Sequence, residues 1–158
     1  NLDTAIAALD ASVTGAGGID IDNTAAALTL TDVDTANGTI DIGTSGTLAA
    51  TDVVAGGAGD VILAATGAIT VGTVTATGNA VSLTSGASIL DDSSDATAIT
   101  ASTVNLTTGA GANVGSNSGG GAIPLGYLDI AGIECQPGQK RARVSSSILS
   151  STGPRHVA

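Results

Sequence analysis

Aliphatic pairs return along this chain at nearly even intervals. They are Ile19/Ile21, Ile40/Ile42, Val61/Leu63, Val81/Leu83 and Val104/Leu106, and their first members stand 21, 21, 20 and 23 residues apart. A further pair, Ile123/Leu125, follows after 19 more. A period of this size means that each repeat is one small unit that cannot bury its apolar side alone and must bury it against its neighbours in the array. That requirement limits the possible folds before any single residue is considered.

Within each repeat a second apolar stretch follows the first by eight or nine residues: Leu28/Leu30, Leu48/Ala50, Ile69/Val71, Ile89 and Ala112/Val114. Single apolar positions follow at Val33, Val53 and Val74. Alternation at period two, in segments rich in Val, Ile and Thr, means strand rather than helix. Turn sequences separate the segments: Gly15-Ala-Gly-Gly18, Ala36-Asn-Gly38, Gly56-Gly-Ala-Gly-Asp60 and Thr77-Gly-Asn79. Strands this short gain stability only by pairing with their equivalents one winding above and below. The pattern predicts an all-β fold, a right-handed parallel β-helix (solenoid) with about 20–21 residues and three short strands per coil. Ile19, Ile40, Val61, Val81 and Val104 form one predicted inward column.

The repeat region spans 15–133. Residues 1–14 have two readings. Leu2, Ile6, Leu9 and Val13 fall at spacings that fit a short amphipathic helix, and the same residues also fit a less regular first coil. Asp91 to Thr97 reads as a loop pushed out of the stack, and residues 115–121 as another loose stretch. After residue 133 the repeat ends, and 134–158 reads as an aperiodic, basic, Ser-rich tail. A disordered segment, a cap over the last coil and a non-native end remain open for it.

Composition agrees with a thin core. The 158 residues include 23 glycines and one tyrosine, and no Phe, Trp or Met. Aromatics ordinarily supply much of a core's buried area; here Val, Ile, Leu and Ala must do so, stacked like on like. Charge is divided along the chain. Lys140, Arg141, Arg143 and Arg155 all lie in the last twenty residues, whereas 13 of the 14 acidic residues lie within 1–133. A surface of that sign repels phosphate, which excludes nucleic acid as a partner, and it attracts divalent cations.

Cys135 is the one cysteine, so neither a disulfide framework nor a cysteine metal site is expected. No apolar run approaches the roughly 18 residues of a membrane span, and no membrane insertion is expected. The chain begins without Met and without a signal segment, and it reads as an internal fragment of a larger chain. Its nearest partners are then neighbouring coils of that chain, and open coil ends predict end-to-end self-association.

Four aspartates are candidate calcium ligands. Asp60 lies in Gly56-Gly-Ala-Gly-Asp-Val-Ile-Leu63, similar to a calcium-binding Gly-rich nonapeptide but with the Asp one place early. Asp91, Asp92 and Asp95 cluster in the fourth coil, where hard oxygen ligands suit Ca²⁺. The alternative for each is a Gly-rich corner or a solvated turn, and no cofactor other than Ca²⁺ is expected. Paired carboxylates also do acid and base work on glycosidic bonds. The coils lack the basic and aromatic groups that hold a sugar, however, and no catalytic residue is assigned. Thr-x-Thr at Thr29/Thr31, Thr73/Thr75 and Thr75/Thr77 does not keep one phase, so no flat threonine ladder is expected. His156 and Cys135 have no catalytic companions at a telling spacing. Asn37-Gly-Thr39 and Asn105-Leu-Thr107 match the N-glycosylation acceptor pattern.

Three stretches carry a resemblance to a known family. Gly86-Ala-Ser-Ile-Leu-Asp91 runs on through Ile99-Thr-Ala-Ser-Thr-Val-Asn-Leu106 to Gly109. Val114-Gly-Ser116 is followed by Ala122-Ile-Pro-Leu125, and Gly59-Asp-Val-Ile-Leu63 leads to Ala68-Ile-Thr-Val71. Together they resemble the repeats of filamentous-haemagglutinin-like adhesins and related giant bacterial surface proteins, over roughly residues 15–130. The resemblance implies a non-catalytic shaft segment of a secreted or cell-surface bacterial adhesin, with any host or cell-surface ligand bound through regions outside this chain. A calcium-binding RTX-like or surface-layer module is the alternative expectation, and a polysaccharide-acting enzyme on the same scaffold the second.

Overall fold

A computed structural model describes residues 1–92 and 98–115, and the backbone of a short strand at Ile130–Ala131. Among the described residues every regular element is a β-strand: β1 (Leu2–Thr4), β2 (Ala8–Val13), β3 (Ile19–Asn23), β4 (Ala27–Thr35), β5 (Ile40–Thr44), β6 (Thr47–Ala55), β7 (Val61–Ala65), β8 (Ile69–Ser85), β9 (Ile89–Asp91), β10 (Ile99–Thr108) and β11 (Ile130–Ala131). Their pairings are parallel, and each strand pairs with its equivalent one winding earlier or later. The chain is a β-solenoid of about five turns. At the usual strand separation this is a rod about 25 Å long.

Register turns the repeated sequence into columns. Ile19 pairs with Ile40, Ile40 with Val61, Val61 with Val81, and Val81 with Val104. A second column holds Leu28, Leu48, Ile69 and Ile89, and a third holds Val33, Val53, Val74 and Ile99. Apart from Ile19 at the open end and Val104, which is half-buried, these residues are sealed from solvent. Each such side chain contributes roughly 1.5–3 kcal/mol of transfer free energy. Among the described residues, polar side chains are buried only where strands end. Asn23, Thr44 and Ser85 are buried there. Asn23 Oδ1 accepts from Thr4 Oγ1 at 3.0 Å and from the Ile6 backbone N at 2.9 Å. Ser85 Oγ donates to the Gly67 carbonyl at 2.8 Å. Among the described residues no buried side-chain nitrogen or oxygen lacks a hydrogen-bond partner, as burial of polar groups demands.

One detail differs from the expectation. The second and third segments of a coil are not separate strands. In β4 and β6 they fuse into nine residues, and β8 runs for 17 residues around three faces. The burial pattern gives the reason. Two successive outward residues, Thr31-Asp32 and Thr51-Asp52, break the alternation. They shift the in-out phase by one and turn the corner while backbone pairing to the neighbouring coils resumes directly beyond it. Of the two readings of residues 1–14, the structure shows the coil and not the helix. Leu2 pairs with Ile21, Leu9 with Leu30, and Ala11 with Val33. Leu9, Ala11 and Val13 alternate inward at period two. A helix this short is marginal in water, whereas the coil below offers a complete row of backbone partners.

The greater length of the fourth coil is visible in the register. Val74 to Ile99 and Ile89 to Val114 are steps of 25 residues, against 20 or 21 for the coils before them. Residues 93–97, the Ile123/Leu125 pair and the tail from 134 lie outside the described residues.

Candidate functional site

The four candidate calcium ligands do not form one cluster among the described residues. Asp60 stands at the entry to β7. Its Oδ1 accepts a hydrogen bond from the Ala80 backbone N in the next coil at 2.9 Å, and its own backbone N donates to Thr39 Oγ1 at 3.4 Å. Asp60 thus serves as a bracket between three windings. Asp91 is not in the loop but ends β9, in register with Val71. It continues the inward column of Leu30, Ala50 and Val71 and is half-buried. Asp92 follows at the surface, its backbone N bonded to the Val71 carbonyl at 3.1 Å. Asp95 lies outside the described residues, as do Cys135 and His156. Among the described residues no group of three or more His, Cys, Asp or Glu side chains is placed to hold a metal ion.

The expected calcium response follows. Backbone ladders and apolar columns hold the described coils together. Adding Ca²⁺ to a chelated sample is expected to leave the far-ultraviolet circular dichroism and the melting temperature unchanged. A large gain of β signal would show that an ion organises the stack.

A different set of carboxylates is brought together by the winding. Asp20 is in register with Asp41, and Asp3 with Asp22, all on the outward side of β1, β3 and β5. The sequence carries a signal for them: Ile19-Asp-Ile-Asp22 and Ile40-Asp-Ile42 place acids between inward aliphatics at the coil period. On another face Asp10 stands in register with Asp32. The backbone amine of Asn1 lies 3.5 Å from Asp20 Oδ2. Partial burial raises the Asp41 pKa above the ordinary 3.8, and the neighbouring charges of Asp20 and Asp22 push it the same way.

The sign of the pH effect is fixed by that direction. Folded Asp41 binds its proton more tightly than unfolded Asp41 does. Its carboxylate therefore opposes folding at neutral pH, and this opposition is relieved as pH falls through the raised folded-state value. The melting temperature of the wild-type chain is expected to rise as pH falls from neutrality toward that raised value. Asp41→Asn is expected to reduce that rise and to melt higher than wild type at neutral pH. Equal pH profiles for the two chains would remove the stacked-carboxylate account.

Beside this acidic strip runs a shallow trough of about 440 Å³, with Gly43 and Ala64 among its small lining residues, Thr24, Ser45 and Thr66 along the corner, and Asp22 also lining it. The hydroxyls of Thr24 and Thr66 are already engaged, donating to the carbonyls of Thr4 and Ser45. The threonine motifs build no continuous ladder. Thr29 stands in register with Ala49, and Thr73 with Asp52. Asn105 projects outward from β10 and donates to Ser82 Oγ at 3.3 Å. Asn37 is tied across coils through its side-chain oxygen.

No helix among the described residues is long and apolar enough to cross a membrane, which says nothing of spanning by strands. No family model matches this chain. No curated protein and no solved structure matches it either.

Proposed function

We propose that this chain is a shaft segment of a secreted or cell-surface bacterial adhesin, a non-catalytic spacer that holds a distal binding region away from the cell. The observation that supports this reading is the uninterrupted stack. Three apolar columns and the backbone ladders around them run parallel to the rod axis from the first coil to β10. In such an array each coil contacts only its neighbours, so length is added without changing the unit. A tensile load along the axis is shared by rows of backbone hydrogen bonds and by the columns inside them. The resemblance of residues 86–109 to filamentous-haemagglutinin-like repeats points to the same role. Neighbouring coils of a longer chain would be the first partners, with end-to-end association of coil edges as a further contact.

Antibodies raised against the folded chain test the proposal. They should label intact producing cells, and in-frame removal of whole coils should bring the distal region closer to the cell while leaving its binding intact. Labelling only after lysis would rule out a surface shaft.

A further inference from the structure

We infer that Asn37 is a deamidation site gated by the coil above it. Gly38 follows it, and a residue without a side chain leaves its backbone nitrogen the least hindered nucleophile toward Asn37 Cγ. Asn37 is exposed at the corner between β4 and β5, yet its side chain is held. Its Oδ1 accepts a hydrogen bond from the Ala58 backbone N of the next winding at 3.0 Å. Gly57 lies over it in the left-handed region at φ 59°, where a methyl group would stand 2.3 Å from Oδ1 and 2.7 Å from Cγ. The side chain is thus clamped along the rod axis, toward the coil above. Gly38 is fixed as well. Its carbonyl accepts from Thr35 Oγ1, and a methyl on its α-carbon would stand 2.1 Å from the Gly17 carbonyl oxygen.

Deamidation forms a bond from Gly38 N to Asn37 Cγ and breaks the bond from Cγ to Nδ2. The Gly38 amide proton passes to a base in solution, and the side-chain nitrogen leaves as ammonia after taking a proton from water. Water then opens the cyclic imide at either carbonyl, giving aspartate or isoaspartate at position 37, with no change of oxidation state. Ring closure draws Cγ toward a nitrogen of its own coil and away from Ala58. It therefore requires the segment from Gly56 to Ala58 to lift. Isoaspartate also adds a methylene to the backbone where successive coils touch backbone to backbone. The isoaspartate product does not restack, so for that product an opening that is normally transient becomes permanent.

Peptide mapping by mass spectrometry of the full chain, aged at mildly alkaline pH with and without denaturant, tests the inference. The folded chain should deamidate at Asn37 slower than the denatured chain by about tenfold or more, in step with the hydrogen-exchange protection of the Ala58 amide. Gly57→Ala, checked for folding by circular dichroism, should move the rate toward the denatured value. Equal rates in folded and denatured chains would overturn the gate, and so would rapid deamidation while Ala58 stays protected or an unchanged rate in a folded Gly57→Ala chain. The wild-type comparison decides the matter if that variant does not fold.

Discussion

A Val61→Asp chain is expected to lose its cooperative thermal transition and most of its β signal at room temperature. Val61 lies between Ile40 and Val81 in the first inward column and is 0% exposed. An aspartate there has aliphatic neighbours above and below, and residues 1–133 contain no Lys or Arg to pair with it. Leaving a charge unpaired in such a place costs about 3–5 kcal/mol, against a total stability of about 5–15 kcal/mol for an ordinary domain. A coil that opens also exposes the two it touches, so the loss spreads along the stack. Two controls separate charge from shape. Val61→Ala should cost about 2 kcal/mol through lost contacts. Ile62→Thr, one residue along and facing outward, should stay within about 0.5 kcal/mol of wild type. Thermal unfolding by circular dichroism reads all three. A Val61→Asp chain that melts like wild type would mean that Val61 does not face the interior.

The second large effect is expected at a glycine that carries no side chain into the core. Gly59 stacks on Gly38 at the corner before β7. A methyl group on its α-carbon would stand 2.1 Å from the Gly38 carbonyl oxygen and 2.6 Å from the carbonyl carbon. Both obstacles are backbone atoms, and relieving them means separating two windings whose pairing begins next to this corner. Gly59→Ala is expected to cost about 2–4 kcal/mol, in the range of severe overpacking. Gly15 supplies the contrast, because a methyl there meets nothing within 4 Å. Gly15→Ala should be neutral or stabilising by up to about 1 kcal/mol through a less flexible unfolded chain. Equal melting temperatures for the two variants would show that coil contact is not what selects glycine at 59.

Much of the interior was legible in the sequence because two periods coincide. Alternation at two residues marks which side chains face in, and recurrence at about 21 marks which of them lie one above another. Ile19, Ile40, Val61 and Val81 satisfy both, as do Val33, Val53 and Val74. The acidic strip is legible by the same rule, since Asp20 and Asp41 sit between aliphatics at that period, although aspartates adjacent in sequence are the more conspicuous pattern. Asp91 shows the limit. Beside Asp92 it reads as loop, yet it occupies an inward register over Val71. Only the winding length before it determines that phase. Asp60 likewise looks like part of a Gly-rich ion motif. Its partner is a backbone amide 20 residues away, which no local pattern contains.

The sequence by itself determined which aliphatic residues face inward and which recur one above another, because short alternating segments that return about every 21 residues cover their apolar sides by stacking winding on winding. Tertiary structure decided where the corners fall, that two segments run together as one strand, that the first fourteen residues are coil rather than helix, and which carboxylates meet. Those outcomes depend on the backbone and side chains one winding away. The contacts that choose between a corner and a turn, or between a bracket and an ion ligand, exist only once the coils are stacked.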